Sequence, residues 1–313
     1  MFWVYLILAF PVYYGLRYLW ELIPVGNIKK RAVFISGCDT GFGRLLALKC
    51  TENGIPTFAG CYTKQGEENL KGDAKGFPGR LVTFPLDITK DESVEEAAKY
   101  VKKNLASDEM LWAVVNNAGV FSCYGPDAWT GIQDYKDAFE INCIGHIRCV
   151  HVRSRVSVPC GAPYAASKYA AEAWMDAIRQ ELRPYGIICC ILEPEAFKTN
   201  LVDENAMIQR VNKAWSKLSE ETKIAYGEDY KDYFVMKWNS FFHKTATPHL
   251  HYVVDNYYHA ITAKFPRYRY RCGWLALCFY IPLTYLPTGL QDYIFNKAAG
   301  KVNLPDDLRN KTD

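Results

Sequence analysis

The chain has 313 residues, half of them hydrophobic, with 37 Lys and Arg against 34 Asp and Glu for a net charge of +3. That length allows one large or two small domains around a substantial core. The near-balance of charge, with no basic stripe interleaved with aromatics, argues against nucleic acid as a partner. Eleven scattered cysteines include no C-x-x-C pair, and His249-x-His251 has no nearby Cys or acidic ligands. Free thiols in a reducing compartment are expected, with neither a disulfide framework nor a metal site.

Residues Met1 to Leu16 carry no charge, and the apolar character continues past Arg17 and Glu21 to Val25. No small-residue cleavage site follows, so residues 1–26 read as a retained membrane anchor and not as a removable signal peptide. The uncharged run is shorter than the roughly 20 residues that span a bilayer. It either spans to about Ile23 with Arg17 snorkelling or lies in the membrane interface. Lys29, Lys30 and Arg31 follow, which puts the main domain on the cytosolic side if the segment spans. A buried N-terminal helix is the alternative.

From Arg31 to Ser36 an apolar strand runs into Gly37, Gly41 and Gly43, and a helical pattern with Leu45, Leu46 and Leu48 follows. A strand feeding a helix through a glycine turn lets the backbone approach a pyrophosphate and aims helix N–H groups at it. Further strands are expected at Pro56–Tyr62, Leu81–Ile88 and Leu111–Val115, the last ending in Asn116-Asn-Ala-Gly119. Between them, residues 91–105 have helical spacing, with Val94, Ala97, Ala98, Val101 and Leu105 on one face. Helices are also predicted over 134–150 and Tyr164–Tyr185, then a buried strand over Ile187–Leu192 ending at Glu193-Pro194. Short apolar strands alternating with helices predict an α/β fold, a doubly wound parallel sheet covered on both faces. This core occupies residues 29–200. Residues 201–305 read as a substrate-binding and membrane-associated segment, with a helix around Val211–Leu218. Its aromatic stretch Cys272–Pro287 follows Arg267, Arg269 and Arg271 and is broken by Pro282 and Pro287. It reads as membrane-surface contact or as the lid of an apolar pocket.

In such a sheet, ligands bind at the carboxyl ends of the strands. The sequence brings to those ends Gly37–Gly43, Asp87, Asn116–Gly119 and Pro194–Thr199, followed in function by Tyr164-Ala-Ala-Ser-Lys168. Residues four apart share a helix face, so Tyr164 and Lys168 can act as a unit. A phenol near pKa 10 needs roughly 4 kcal/mol to reach 7. A neighbouring ammonium and a cationic nicotinamide ring would favour the phenolate, which can then take a proton from an alcohol as hydride leaves its carbon.

Together these motifs resemble the short-chain dehydrogenase/reductase family over roughly residues 31–200. Ser36-Gly-x-x-x-Gly-x-Gly43, Asn116-Asn-Ala-Gly119, Tyr164-x-x-x-Lys168 and Pro194-x-x-x-x-Thr199 stand in the family's order. The N-terminus, Gly-Cys-Asp-Thr-Gly-Phe-Gly, and Glu193-Pro194 with Phe197-Lys-Thr-Asn200 are similar to the retinol and hydroxysteroid dehydrogenase branch. The resemblance implies hydride transfer between a nicotinamide cofactor and a retinoid or steroid alcohol, in a protein associated with the lipid of the endoplasmic reticulum membrane. It implies that Gly37, Gly41 and Gly43 line the pyrophosphate, with Asp39 and Phe42 also against the cofactor, and Asp87 at the adenine. Asn117, Ala118 and Gly119 would lie along the cofactor, and Thr199 would meet the nicotinamide amide. Asn142 would anchor a relay water, while Lys168 would hold the ribose and tune Tyr164. NAD is favoured by the branch, and NADP stays open because Cys61-Tyr-Thr-Lys64 has no ribose-binding acid and ends in a lysine.

The chain also departs from the pattern. The family places an oxygen-polarising serine about thirteen residues before the tyrosine; here that position is His151, with Ser154 and Ser157 too close to Tyr164. Only 22 residues separate Asn142 from Tyr164, about half the family's spacing. The end of one helix, most of a fifth strand and the serine are therefore expected to be missing, unless Ile147–Val152 is drawn into the vacant strand position. The alternative reading of function follows: a catalytically impaired chain that only binds cofactor or lipid. Glu195, where the family usually has glycine, either crowds the nicotinamide side or points outward. Family members often form a homodimer through helices, but the shortened region adjoins one of them, and the sequence gives a dimer no support.

Overall fold

The computed structural model describes residues 2–121, 123–149 and 161–299. The chain divides into two compact units, one of Met1–Asn117, Met175–Leu192 and His251–Tyr270, the other of Ala118–Trp174, Glu193–Leu250 and Arg271–Asp313.

The first unit is built on β1 (Arg31–Ser36), β2 (Thr57–Cys61), β3 (Leu81–Pro85) and β4 (Met110–Val115), all parallel in the order β3-β2-β1-β4. Helices α2 (Gly41–Glu52), α3 (Lys64–Asp73) and α4 (Asp91–Asn104) make the crossovers. Ala32, Val33 and Ile35 of β1 are wholly buried, as an interior strand covered on both faces requires. Leu46, Ala47 and Cys50 bury one stripe of α2, and α11 (His251–Thr262) packs against that helix. In α4 the expected face is narrower than its spacing suggested: Ala97 and Val101 are buried, whereas Ala98 is exposed.

Helix α1 (Phe2–Glu21) is pinned at its foot within the same unit. The buried Glu21 carboxylate accepts from Arg17 Nε at 2.9 Å and Arg267 Nε at 2.7 Å. His259 bridges the Glu21 carbonyl and the Tyr270 hydroxyl, and Val25 N–H donates to the Thr262 carbonyl. Among the described residues no helix is long and apolar enough to cross a membrane. The spanning form of the expected anchor is therefore not found.

The sheet stops where the sequence is short. No described strand pairs with the outer side of β4, and Met110, Leu111, Trp112 and Val114 are 38–54% exposed along it. Such a row of apolar side chains belongs to an interior strand, not to an edge. The strand predicted over Ile187–Leu192 is correspondingly cut down. Only β5 (Ile191–Pro194) forms, after α7 (Ala162–Leu182) has ended at the left-handed Gly186, and Ile187 and Ile188 are half exposed. β5 pairs with β6 (Arg269–Cys272) and not with β4. Residues 145–149 are helical, which removes Ile147 to Cys149 from any rescue strand; Val150 to Val152 lie outside the described residues.

The second unit is helical. Helix α5 (Ile132–Phe139) continues through a π-turn at Glu140–Ile144 into α6 (Gly145–Cys149), beside the first half of α7. Helices α8 (Glu204–Ser216), α9 (Glu220–Tyr226) and α10 (Glu228–Thr245) enclose an aromatic core of Tyr124, Trp129, Trp215, Phe234 and Phe242. The helical stretch predicted around Val211–Leu218 thus begins earlier, because Met207 and Val211 bury the same stripe as Ala214 and Trp215. Beyond β6 a helical segment runs through Ala276–Tyr280 into α12 (Ile281–Leu283), and α13 (Thr288–Ala299) ends the described chain.

Because β4 is an edge among the described residues, Leu111→Lys should change unfolding free energy in urea by about 0.5 kcal/mol or less and reduce aggregation. A loss of several kcal/mol would show that another strand covers β4.

Candidate active site

The glycine turn between β1 and α2 has the backbone its sequence demanded. Gly37 and Gly41 have φ of +68° and +63°, values that L side chains avoid. A Cβ on Gly43 would lie 2.3 Å from Asn117 Nδ2 and 2.5 Å from the Gly37 carbonyl oxygen, so only glycine fits. Asn117 holds the turn from the end of β4. Its Nδ2 donates to the carbonyls of Ser36 (3.2 Å) and Gly37 (3.0 Å), and its N–H donates to Ser36 Oγ. No side chain caps the N-terminus of α2, and both side-chain polar atoms of fully buried Asn116 lack a protein partner. A tight glycine cradle with uncapped helix N–H groups fits the pyrophosphate of a dinucleotide. Phe42, in the first turn of α2, is partly exposed.

Two carboxylates stand nearby in the same unit. Asp39 Oδ2 accepts from Tyr62 N–H at 2.7 Å, and Asp39 Oδ1 accepts from Thr63 N–H at 2.7 Å and Thr63 Oγ1 at 2.6 Å. Asp87, just past β3, accepts from Thr89 N–H and Thr89 Oγ1 and faces Lys90 Nζ at 3.6 Å. Burial alone would raise the Asp87 carboxyl, but those bonds and that ammonium hold it below the usual range. Each is partly exposed.

The side chains expected to carry acid–base chemistry belong to the second unit. Tyr164 and Lys168 lie on α7 as their spacing predicted, with Lys168 Nζ 5.7 Å from the centre of the Tyr164 ring. Asn142, in the π-turn, clasps the backbone of Val120: its Oδ1 accepts the Val120 N–H and its Nδ2 donates to the Val120 carbonyl, both at 2.9 Å. The same Nδ2 reaches Ser167 Oγ at 3.3 Å, and Ser167 Oγ donates to the Tyr164 carbonyl at 2.8 Å. Asn142, Tyr164 and Lys168 are thereby brought together, with Ser167 a link that Y-x-x-x-K spacing does not mark. His146, on the next turn after Asn142, hydrogen-bonds the Ala118 carbonyl, while Gly119 is exposed.

Without a nicotinamide beside it, burial governs the electrostatics of this pair. Burial pushes the Tyr164 phenol up to about 12, and burial pushes Lys168 down to about 8. Phe121 is one of the rings packed on Tyr164, stacked with centroids 4.6 Å apart and planes 13° from parallel. Arg210 lies over the other neighbour of that stack, 5.9 Å from the Phe121 centroid. Nothing in the spacing of motifs identifies Phe121, which follows Asn-Asn-Ala-Gly by one valine.

After β5 the chain turns through Ala196 and Phe197. Thr247 N–H donates to the Ala196 carbonyl, and Thr199, partly exposed, precedes a short turn at Asn200–Val202. Ala196 and Leu201 pack on the same aromatic core as Tyr164. Glu195 turns toward the C-terminal segment, where its Oε2 accepts from Ala276 N–H at 3.1 Å. Gly273 (φ +116°) leaves room for it, since a Cβ there would lie 2.0 Å from Glu195 Cδ. Among the described residues no cluster of potential ligands could hold a metal. His151, Ser154 and Ser157 lie outside the described residues.

Comparison with known proteins accounts for these features. The short chain dehydrogenase family profile matches residues 31–154 and 150–209, in two stretches that meet where the sequence is short. The 3beta-hydroxysteroid dehydrogenase dhs-16 of Caenorhabditis elegans is 40% identical over 92% of this chain and 80% of its own length. Retinol dehydrogenase 7 of Rattus norvegicus is 35% identical over 93% and 96% respectively. The alignment with 17-beta-hydroxysteroid dehydrogenase type 6 of Bos taurus (36% identical, covering 96% of this chain and 98% of that one) runs over 319 residues. That is more than the 313 of this chain, so gaps open in it. Among solved structures, a short-chain dehydrogenase/reductase from Burkholderia phymatum has the same fold, with a TM-score of 0.67 at 18% identity over 85% of this chain and 97% of that one. The chain belongs to the short-chain dehydrogenase family, in its hydroxysteroid and retinol dehydrogenase branch, and is an oxidoreductase of the NAD(P)-dependent kind.

Proposed function

We propose that this chain moves a hydride between NAD and a lipid alcohol or ketone of the hydroxysteroid or retinoid class. The observation that carries the reading is the pair of partly buried Tyr164 and buried Lys168 on α7, linked through Ser167 to Asn142. A bound nicotinamide would supply the hydride acceptor or donor. Gly37, Asp39, Gly41, Phe42, Gly43, Asp87 and Asn117 would hold the dinucleotide, with Ala118, Gly119 and Thr199 along it and Lys168 at its ribose.

The direction of proton transfer follows from the phenol. Taking Tyr164 from about 12 to 7 requires about 7 kcal/mol. The phenol therefore stays protonated near neutrality and serves carbonyl reduction, giving its proton to the substrate oxygen as hydride reaches the carbon. Oxidation needs the phenolate and so gains with rising pH.

A second reading is favoured by the Phe121 ring on Tyr164 and by the missing serine: a chain that holds cofactor or lipid with little turnover. Losing one oxygen-polarising donor costs on the order of 10²- to 10³-fold in rate. The proposed location is a membrane surface, the endoplasmic reticulum, with both units cytosolic. What supports it is the exposed apolar girdle of α1, with Tyr13, Tyr14, Leu16, Tyr18 and Trp20 all more than half exposed, ahead of Lys29, Lys30 and Arg31.

With NADH and retinal or a ketosteroid at pH 7, Tyr164→Phe should lower kcat at least about 100-fold while leaving NADH affinity intact. Undiminished turnover would remove Tyr164 from its role. Oxidation of the matching alcohol should rise about tenfold per pH unit from 8 to 10, following the phenolate fraction; a plateau below pH 8 would contradict the protonated phenol. Grafting a strand and serine between Cys149 and Gly161 should raise the reduction rate about 10²- to 10³-fold. Turnover by the grafted chain alone would establish the second reading.

A further inference from the structure

The end of β2 is where a dinucleotide-binding sheet reads the adenosine ribose, commonly with an acidic side chain about 20 residues beyond the glycine turn. This chain has Tyr62, Thr63 and Lys64 there, and no acid. The structure fills that position from elsewhere. Asp39, inside the glycine turn, carries its carboxylate across to the residues that directly follow β2, where it accepts from the N–H groups of Tyr62 and Thr63 and from Thr63 Oγ1. Gly66, one turn into α3, is held to glycine by the same carboxylate, since a Cβ there would lie 2.5 Å from Asp39 Oδ1.

We infer that Asp39 is the residue that selects NAD against NADP, by presenting a fixed negative charge beside the ribose 2′-oxygen. The inference rests on the dehydrogenase reading above. A turn-locking role alone would satisfy the three hydrogen bonds. It does not use the remaining acceptor capacity, however: Oδ2 takes one donor where a carboxylate oxygen has room for two, and the side chain is partly exposed. A 2′-hydroxyl can donate to that oxygen. A 2′-phosphate, carrying close to two negative charges at neutral pH, meets an anion already immobilised by the backbone.

Arg44, which bears on the Cys61 thiol at the end of β2, gives its Nη2 to the Asp73 carboxylate, while its buried Nη1 has no hydrogen-bond partner. Lys64 is exposed and, with Lys71 as the stronger partner, holds the Glu67 carboxyl below its usual range. Neither makes an ion pair with Asp39 among the described contacts.

The test is equilibrium binding to the full chain, read by the fluorescence of NADH and NADPH without substrate. Wild-type protein should bind NADH about 100-fold or more tightly than NADPH, because juxtaposed like charges suppress the wrong partner. Asp39→Asn, which keeps an acceptor oxygen for the turn and removes the charge, should close that gap at least about tenfold by tightening NADPH. Lys64→Ala should leave the ratio as it is, and this variant does not depend on the turn remaining folded. If Asp39→Asn weakens both dinucleotides by one factor, or if Lys64→Ala shifts the ratio, or if the wild type favours NADPH, the selection by Asp39 is wrong and the dehydrogenase reading stands. If neither dinucleotide binds wild-type protein, both fall.

Discussion

The carboxamide of Asn117 is the contact on which the nucleotide-binding half depends. It stands at the end of β4 and donates to two successive carbonyls, Ser36 and Gly37, at the opening of the glycine turn. A buried carbonyl left without a donor costs about 1–3 kcal/mol. Gly43 must be glycine because that amide and the Gly37 carbonyl occupy the space a side chain would need. One hydrogen-bonding group thus explains the second asparagine of Asn116-Asn-Ala-Gly119, the third glycine of the turn and the access of a ligand to the start of α2.

A second asparagine does equivalent service in the helical unit. Asn142 satisfies both backbone groups of Val120 and reaches Ser167, so the chain just after Asn-Asn-Ala-Gly is fastened to the helix bearing Tyr164. The π-turn at Glu140–Ile144 places this side chain, and such local insertions concentrate at functional sites. In the sheet of the first unit, no described strand lies on the far side of β4. The sheet survives because β1 and β2 remain interior, but an apolar edge is left on β4 and β5 is shortened to four residues. In a domain with a margin of roughly 5–15 kcal/mol, that exposed edge is a material loss.

The sequence made legible whatever was local or periodic. The four parallel strands, the glycine turn and the Tyr164–Lys168 face all follow from spacing within one element or one crossover. It could not reveal contacts set by folding at a distance. Asp39 meets Tyr62 and Thr63 only because β1 and β2 are parallel neighbours, so the sheet's missing ribose acid looked absent when read along the chain. The stack of Phe121 on Tyr164 is likewise a contact between separate segments and leaves no mark in a Y-x-x-x-K spacing. Ala98, Ile187 and Ile188 are exposed for a third reason: apolar character does not secure burial, which also needs a partner surface.

Backbone hydrogen exchange with and without NADH reads the central claim residue by residue. Slowed exchange concentrated at Ser36–Arg44 and Asn116–Asn117 is the result this account predicts, because those amides would surround the pyrophosphate. Unchanged exchange there, at NADH concentrations that saturate binding measured independently, would contradict it.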